Sequence, residues 1–182
     1  MNRNSKNLIL FTFIAIAALI GIRRDGYYYD KQSDSSIIKI AFTQAELDRF
    51  LDDVGYSESS NRYNIVSRYG YLGKYQFSMS TLRDIGYDIS RKEFLSNPII
   101  QDEAMVDLMK YNKEILQKYI DKWDGKVYKG VMVTESGILA AAHLTGASSV
   151  KRYFKYGINR KDALGTSIKD YMIKFGGYKI EI

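Results

Sequence analysis

The 182-residue chain contains no cysteine. That absence removes the thiol nucleophile, the cysteine-ligated zinc and the disulfide framework together, and it fits an oxidising or a reducing compartment equally well. Histidine is nearly absent too, His143 being the only one. A multi-histidine metal site is therefore excluded, any Ser-His-Asp arrangement is tied to that one imidazole, and no metal or cofactor is expected. Catalytic proton transfer in such a chain falls to carboxylates.

Concentrated charge is also lacking. Of the net charge of +6, Arg3, Lys6, Arg23 and Arg24 less Asp25 account for +3, which leaves +3 for everything after residue 25. A nucleic-acid surface needs clustered cations rather than a mild excess, so no nucleic-acid partner is expected. A diffuse basic surface suits an anionic polymer such as a bacterial cell wall with free peptide carboxylates. With 46% hydrophobic and 26% charged residues the composition is globular, and the length allows one domain with a proper core.

The opening stretch MNRNSKNLILFTFIAIAALIGIRRDG places Arg3 and Lys6 ahead of an uncharged run ending at Ile22, with Arg23 and Arg24 behind it. Its core of about 15 residues falls at the upper edge of a signal-peptide core and short of the roughly 20 of a comfortable span. Residues 1–25 thus read as a signal peptide or a signal anchor, with residues 8–22 as the anchoring part. The chain is expected to be exported across the inner membrane to the periplasm or cell envelope, meeting the membrane only through this segment. Residues 26–40 lack helical periodicity and contain a Ser/Asp cluster, so they are expected to be a flexible tether, with the folded domain at 41–182.

Beyond Ile40 the helix punctuation is legible. Thr43 and Glu46 have capping-box spacing with Phe42 and Leu47 in staple positions, and Leu47, Phe50, Leu51 and Val54 recur on one face. Ser90 with Glu93, and Asn97 before Pro98, mark two further starts, the second opening a long helix striped with Ala104, Met105, Leu108, Met109 and Leu116. Thr134 begins an alanine-rich helix that Gly146 is expected to end in a left-handed conformation. Two short helices follow, Val150 to Tyr156 closed by Gly157 and one capped by Thr166 and ending at Gly176; the last offers packing, with Tyr171 or Tyr178 at most edging a groove. The only strand signal lies between Arg68 and Phe77, where a small hairpin is expected.

One stretch carries chemistry. ESSNRYNIVSRYGYLGKYQF, residues 58 to 77, sets Glu58 at a helix end beside Tyr63, Tyr69, Tyr71, Tyr75 and Phe77. Flat aromatic faces suit stacking on sugar rings, and a carboxyl partly withdrawn from water has its charged form disfavoured, which keeps a proton available for breaking a glycosidic bond. Gly70 and Gly73 read either as a hairpin turn or as positions that let the backbone approach a bulky glycan.

This pattern resembles the lysozyme-like soluble lytic transglycosylases that cut bacterial peptidoglycan. Their signature of Glu-Ser, Ala-Val-Ser, then Gly-x-x-Gly-x-x-Gln is similar to Glu58-Ser59, Ile65-Val66-Ser67 and Gly70-Tyr71-Leu72-Gly73-Lys74-Tyr75-Gln76, in matching register. A later Ala-Tyr-Asn-Ala-Gly motif resembles Ala142-His143-Leu144-Thr145-Gly146. The chain departs at Lys74-Tyr75, where the family has two apolar residues, and at His143-Leu144, which replaces Tyr-Asn.

The resemblance implies a mainly α, lysozyme-like helical domain with at most a small β-hairpin, acting as a monomer on peptidoglycan glycan strands. It implies Glu58 as general acid and then base, with Ser59, Tyr71, Tyr75, Gln76 and His143 contacting substrate. The reaction would cut the bond between N-acetylmuramic acid and N-acetylglucosamine and leave 1,6-anhydro ends. A two-carboxylate hydrolase needs a second acid, for which Asp84, Asp88 and Glu135 are the candidates by sequence, and a non-catalytic wall-binding module is the other alternative.

Overall fold

In the computed structural model the backbone is described for residues 31–182 and the side chains for residues 36–182. The expected leader and the first five residues of the expected tether lie outside the described residues. Helix α1 runs from Lys31 to Ser59. The expected tether is thus helical from residue 31 onward, and Thr43 does not cap. Its hydroxyl donates to the carbonyl of Lys39 one turn back, as an interior helical threonine does. The staple is absent as well, since Phe42 is exposed, while Glu46 pairs with Arg49 at 2.9 Å. The face carrying Leu47, Phe50, Leu51 and Val54 is buried as its spacing requires.

After α1 come two short helices, α2 (Met79–Asp84) and α3 (Arg91–Ser96), then the long α4 (Pro98–Trp123). Ser90 Oγ accepts from the N–H of Glu93 and Asn97 Oδ1 from that of Ile100, so both expected caps form. The hairpin is not where the aromatic-glycine alternation pointed. Strands β1 (Val127–Tyr128) and β2 (Val131–Met132) form it, turning through Lys129 and Gly130, both with positive φ, a geometry that matches the strand twist. Between residues 66 and 77 there are only isolated bridges, Val66 with Leu72 and Leu72 with Phe77.

Helix α5 (Glu135–Thr145) is central, buried without interruption from Ser136 to Ala142 and packed against α4, α6 (Ala147–Tyr156) and α7 (Ile168–Lys174). Its small side chains allow this. A Cβ on Gly137 would stand 2.8 Å from the carbonyl oxygen of Met172, so α5 and α7 approach at van der Waals distance there. Gly146 has positive φ but an extended ψ of 149°, so it joins α5 to α6 rather than closing a left-handed cap; Gly157 does adopt the left-handed form. The cap of α7 is Ser167, one residue beyond the expected Thr166, in a reciprocal box with Asp170.

Among the described residues the fold is mainly α-helical with one small antiparallel hairpin, the fold class the sequence predicts. Residues 37–182 form one compact unit, with α1 joined to the C-terminal region by Phe50 set edge-on against Phe175 and Tyr178. Among the described residues no helix is long and apolar enough to cross a membrane.

Candidate active site

The last turn of α1 carries Ser57, Glu58 and Ser59. The chain leaves the helix through Ser60 and Asn61, both with positive φ, whose N–H groups bond back to the carbonyls of Tyr56 and Gly55. Ser59 is buried. Its hydroxyl accepts from the N–H of Arg62 at 2.9 Å and donates to the carbonyl of Lys74 at 2.8 Å, tying the helix end to the loop that follows.

That loop closes on itself where Leu72 and Phe77 exchange backbone hydrogen bonds of 2.8 and 2.9 Å. Gly73 has a φ of +70°, and a Cβ there would fall 1.9 Å from Oε1 of Gln101. Its lack of a side chain therefore serves a contact inside the protein, not an approach to a glycan. The Gln101 amide accepts from the N–H of Lys74 and donates to the carbonyls of Tyr63 and Phe94, binding the loop to α4.

Lys74 and Tyr75, the two departures from the apolar pair, are the centre of a buried polar network. Lys74 is only 4% exposed, with its ammonium 2.8 Å from Asp52 and 3.5 Å from Asp102. Tyr75 donates to Asp102 at 2.7 Å and Tyr63 donates to the same carboxylate at 2.9 Å. Burial alone pulls the lysine down, but the hydrogen bonds to Asp52 and Tyr63 and the charge of Asp102 outweigh it, so Lys74 titrates above its ordinary value. Burial, then Asp102, pushes Tyr75 far up, and Tyr63 is also raised, chiefly by burial.

On the other side of this loop opens a cleft of about 920 Å³. Glu58, Tyr71, Gln76 and His143 all line it. Tyr69 and Tyr71 are exposed, and Arg68 stacks over the Tyr69 ring. Gln76, at a φ of 54°, is held by donating to the carbonyl of Gly73. His143 extends from α5 with Nε2 at 2.9 Å from the carbonyl oxygen of Tyr75, which requires a hydrogen on Nε2; in the neutral ring Nδ1 is then an acceptor. Nδ1 is buried and has no partner among the described residues.

Two expected substrate contacts are corrected by this geometry. Ser59 and Tyr75 do not line the cleft: the hydroxyl of Ser59 is used up by the helix end, and Tyr75 is fully buried with its hydroxyl on Asp102. Tyr63 likewise joins the network behind the loop. Of the acids considered, Asp84 lines the cleft, whereas Asp88 and Glu135 do not. Lys113 stands 2.8 Å from Glu135 Oε1, an ion pair whose angles fall outside hydrogen-bond geometry.

Three cleft features were not expected. Tyr171 of α7 donates a short hydrogen bond to Oε1 of Glu58, leaving Oε2 without a partner among the described residues. Burial first, and then the charge of Glu58, raise the phenol well above its ordinary range, so it stays a donor. Asp162 lines the cleft, with Oδ1 accepting from the N–H groups of Leu164 and Thr166. Asn112 of α4 lines it too. Among the described residues no three His, Asp or Glu side chains are grouped to hold a metal ion.

No family model matches the chain, and neither a curated protein nor a solved structure matches it. The chemistry of the site therefore rests on its own geometry.

Proposed function

We propose that the chain is a lysozyme-like lytic transglycosylase, exported to the cell envelope, that cuts the β-1,4 bond between N-acetylmuramic acid and N-acetylglucosamine in peptidoglycan. The supporting observation is the setting of Glu58: a half-buried carboxyl on the wall of a cleft of about 920 Å³, one oxygen held by Tyr171 and the other without a partner among the described residues. With Oε1 so held, Oε2 is the oxygen left to face a ligand and to transfer a proton in the proposed reaction. In the proposed reaction that proton passes to the bridging oxygen as its bond to C1 of the muramic sugar breaks. The resulting carboxylate takes the proton of the muramic C6 hydroxyl, whose oxygen closes onto C1, giving an anhydro end without water. One carboxylate suffices for both steps, and Tyr69 and Tyr71 supply exposed ring faces for the sugars.

A hydrolytic reading is favoured by one observation, the presence of Asp84 and Asp162 in the same cleft, since either is a carboxylate able to serve as the second acid of a water-using scheme. Product analysis separates the two. Digesting purified wall and resolving the muropeptides is expected to give 1,6-anhydromuramic ends. Reducing ends would mean hydrolysis. Glu58→Gln is expected to abolish turnover and keep wall binding, and equal activity in that variant would reject the assignment. Absence of any soluble product from the wild type would leave a wall-binding module.

A further inference from the structure

The middle of α4 presents a side chain that neither the fold nor the proposed proton transfer uses. Asn112 is 4% exposed, lies on the cleft wall and has no side-chain hydrogen bond among the described residues. A primary amide carries two donors and an acceptor oxygen. Both amide atoms open on the cleft rather than on the sealed interior, so a ligand that covers them must offer partners in return. An apolar residue at this position would continue the stripe of Leu108 and Leu116, so the amide is the polar break at which the cleft can pair with a ligand.

The surroundings specify the partner's chemistry. Leu108 one turn before, and Ile115 nearly one turn after, also line the cleft, so the amide is flanked along the helix by two apolar surfaces. A group complementary to this patch has a donor and an acceptor on neighbouring atoms and a small apolar cap. The acetamido substituent of an amino sugar has that composition: its N–H and C=O pair with the Asn112 amide while its methyl covers the aliphatic side chains.

We infer that Asn112 is the residue by which this cleft recognises the N-acetyl group of a wall sugar, an assignment that rests on the wall-cleaving reading. It makes Asn112 a specificity-determining residue rather than a catalytic one. Discrimination follows from the covering of that amide by a bound sugar. A sugar with hydroxyl in place of acetamido leaves the amide unpaired and is rejected by the desolvation it imposes.

Calorimetric titration of the full chain with a β-1,4 oligomer of N-acetylglucosamine and with the matching glucose oligomer tests this. The wild type is expected to prefer the acetylated oligomer by about tenfold, of the order of one net amide pairing. Asn112→Leu is expected to erase that preference while leaving Tm unchanged or raised, because no side-chain hydrogen bond of the fold is lost with the amide. Asn112→Thr serves if the leucine variant does not fold. Retained preference in the variant, with wall digestion intact, overturns the Asn112 assignment alone, as does a fall in Tm in both variants, which would make the amide a structural group. Failure of the wild type to bind either oligomer or wall overturns the wall-cleaving reading itself.

Discussion

Tyr171 hydrogen-bonds Glu58 across 113 residues of chain. Its hydroxyl touches the carboxyl proposed to react, and its raised titration keeps it protonated through neutrality. Tyr171→Phe removes one donor from a half-buried carboxyl, worth about 1.5–3 kcal/mol once proton transfer in the proposed reaction has left that carboxyl charged. The expected result is a kcat lowered roughly tenfold to a hundredfold with KM nearly unchanged, since the phenol orients the acid and does not hold the glycan. Steady-state kinetics on wall fragments checks it; a raised KM at constant kcat would place Tyr171 in substrate binding instead.

The Lys74 network predicts a weakness at high pH. Lys74, Tyr63 and Tyr75 all titrate above their ordinary values in the folded chain. A group whose folded pKa is raised contributes its full stabilisation below the unfolded value and loses it as pH rises through the folded one. Stability is therefore expected to be flat through neutrality and to fall from about pH 10.0, the ordinary tyrosine value, upward. Lys74→Met is expected to cost about 1–3 kcal/mol at neutral pH, less than for a fully buried pair because Asp52 and Asp102 keep contact with water. Denaturant unfolding across the pH range measures both effects.

Gly70 and Gly73 separate two causes of glycine preference. Both have positive φ, but a Cβ at Gly70 meets nothing within 4 Å, whereas one at Gly73 collides with Gln101. Gly70→Ala is expected to cost about 1 kcal/mol from backbone strain alone. Gly73→Ala adds the displacement of a buried amide that makes three hydrogen bonds, and is expected to cost at least about 3 kcal/mol. Paired thermal melts resolve the difference, and equal losses would refute the collision.

Features set by neighbours in sequence were legible beforehand. The caps at Ser90, Asn97 and Thr134 are local, and Glu58, Tyr71 and Gln76 meet in one cleft because a single tight loop carries them. Thr43 misled because a capping-box spacing is the same whether the helix starts there or passes through, and the outcome turned on residues 31–42 continuing the helix. Ser59 and Tyr75 occupy positions in the motif, yet the directions of their side chains follow from Lys74 and Asp102, partners no spacing rule reveals. Tyr171 reads from sequence at most as a groove edge, and its pairing with Glu58 across 113 residues follows from no local pattern. Asn112 did give a local sign, an amide four residues after Leu108 that, like Gln101, interrupts the apolar stripe, the kind of break that marks either a buried network or a ligand contact.

The C-terminal segment fastens the end of α1 at three points, Tyr171 to Glu58, Lys174 to Ser57 and Tyr178 to Asp53. Each joins residues more than a hundred positions apart, and pairings that distant are the slow ones to close during folding. The Glu58 carboxyl consequently gains its final orientation only when the last helix docks. On the proposed function, a chain that has collapsed around α5 but not yet engaged that clasp has its groove and lacks a competent acid, so activity would report completed folding rather than mere compaction.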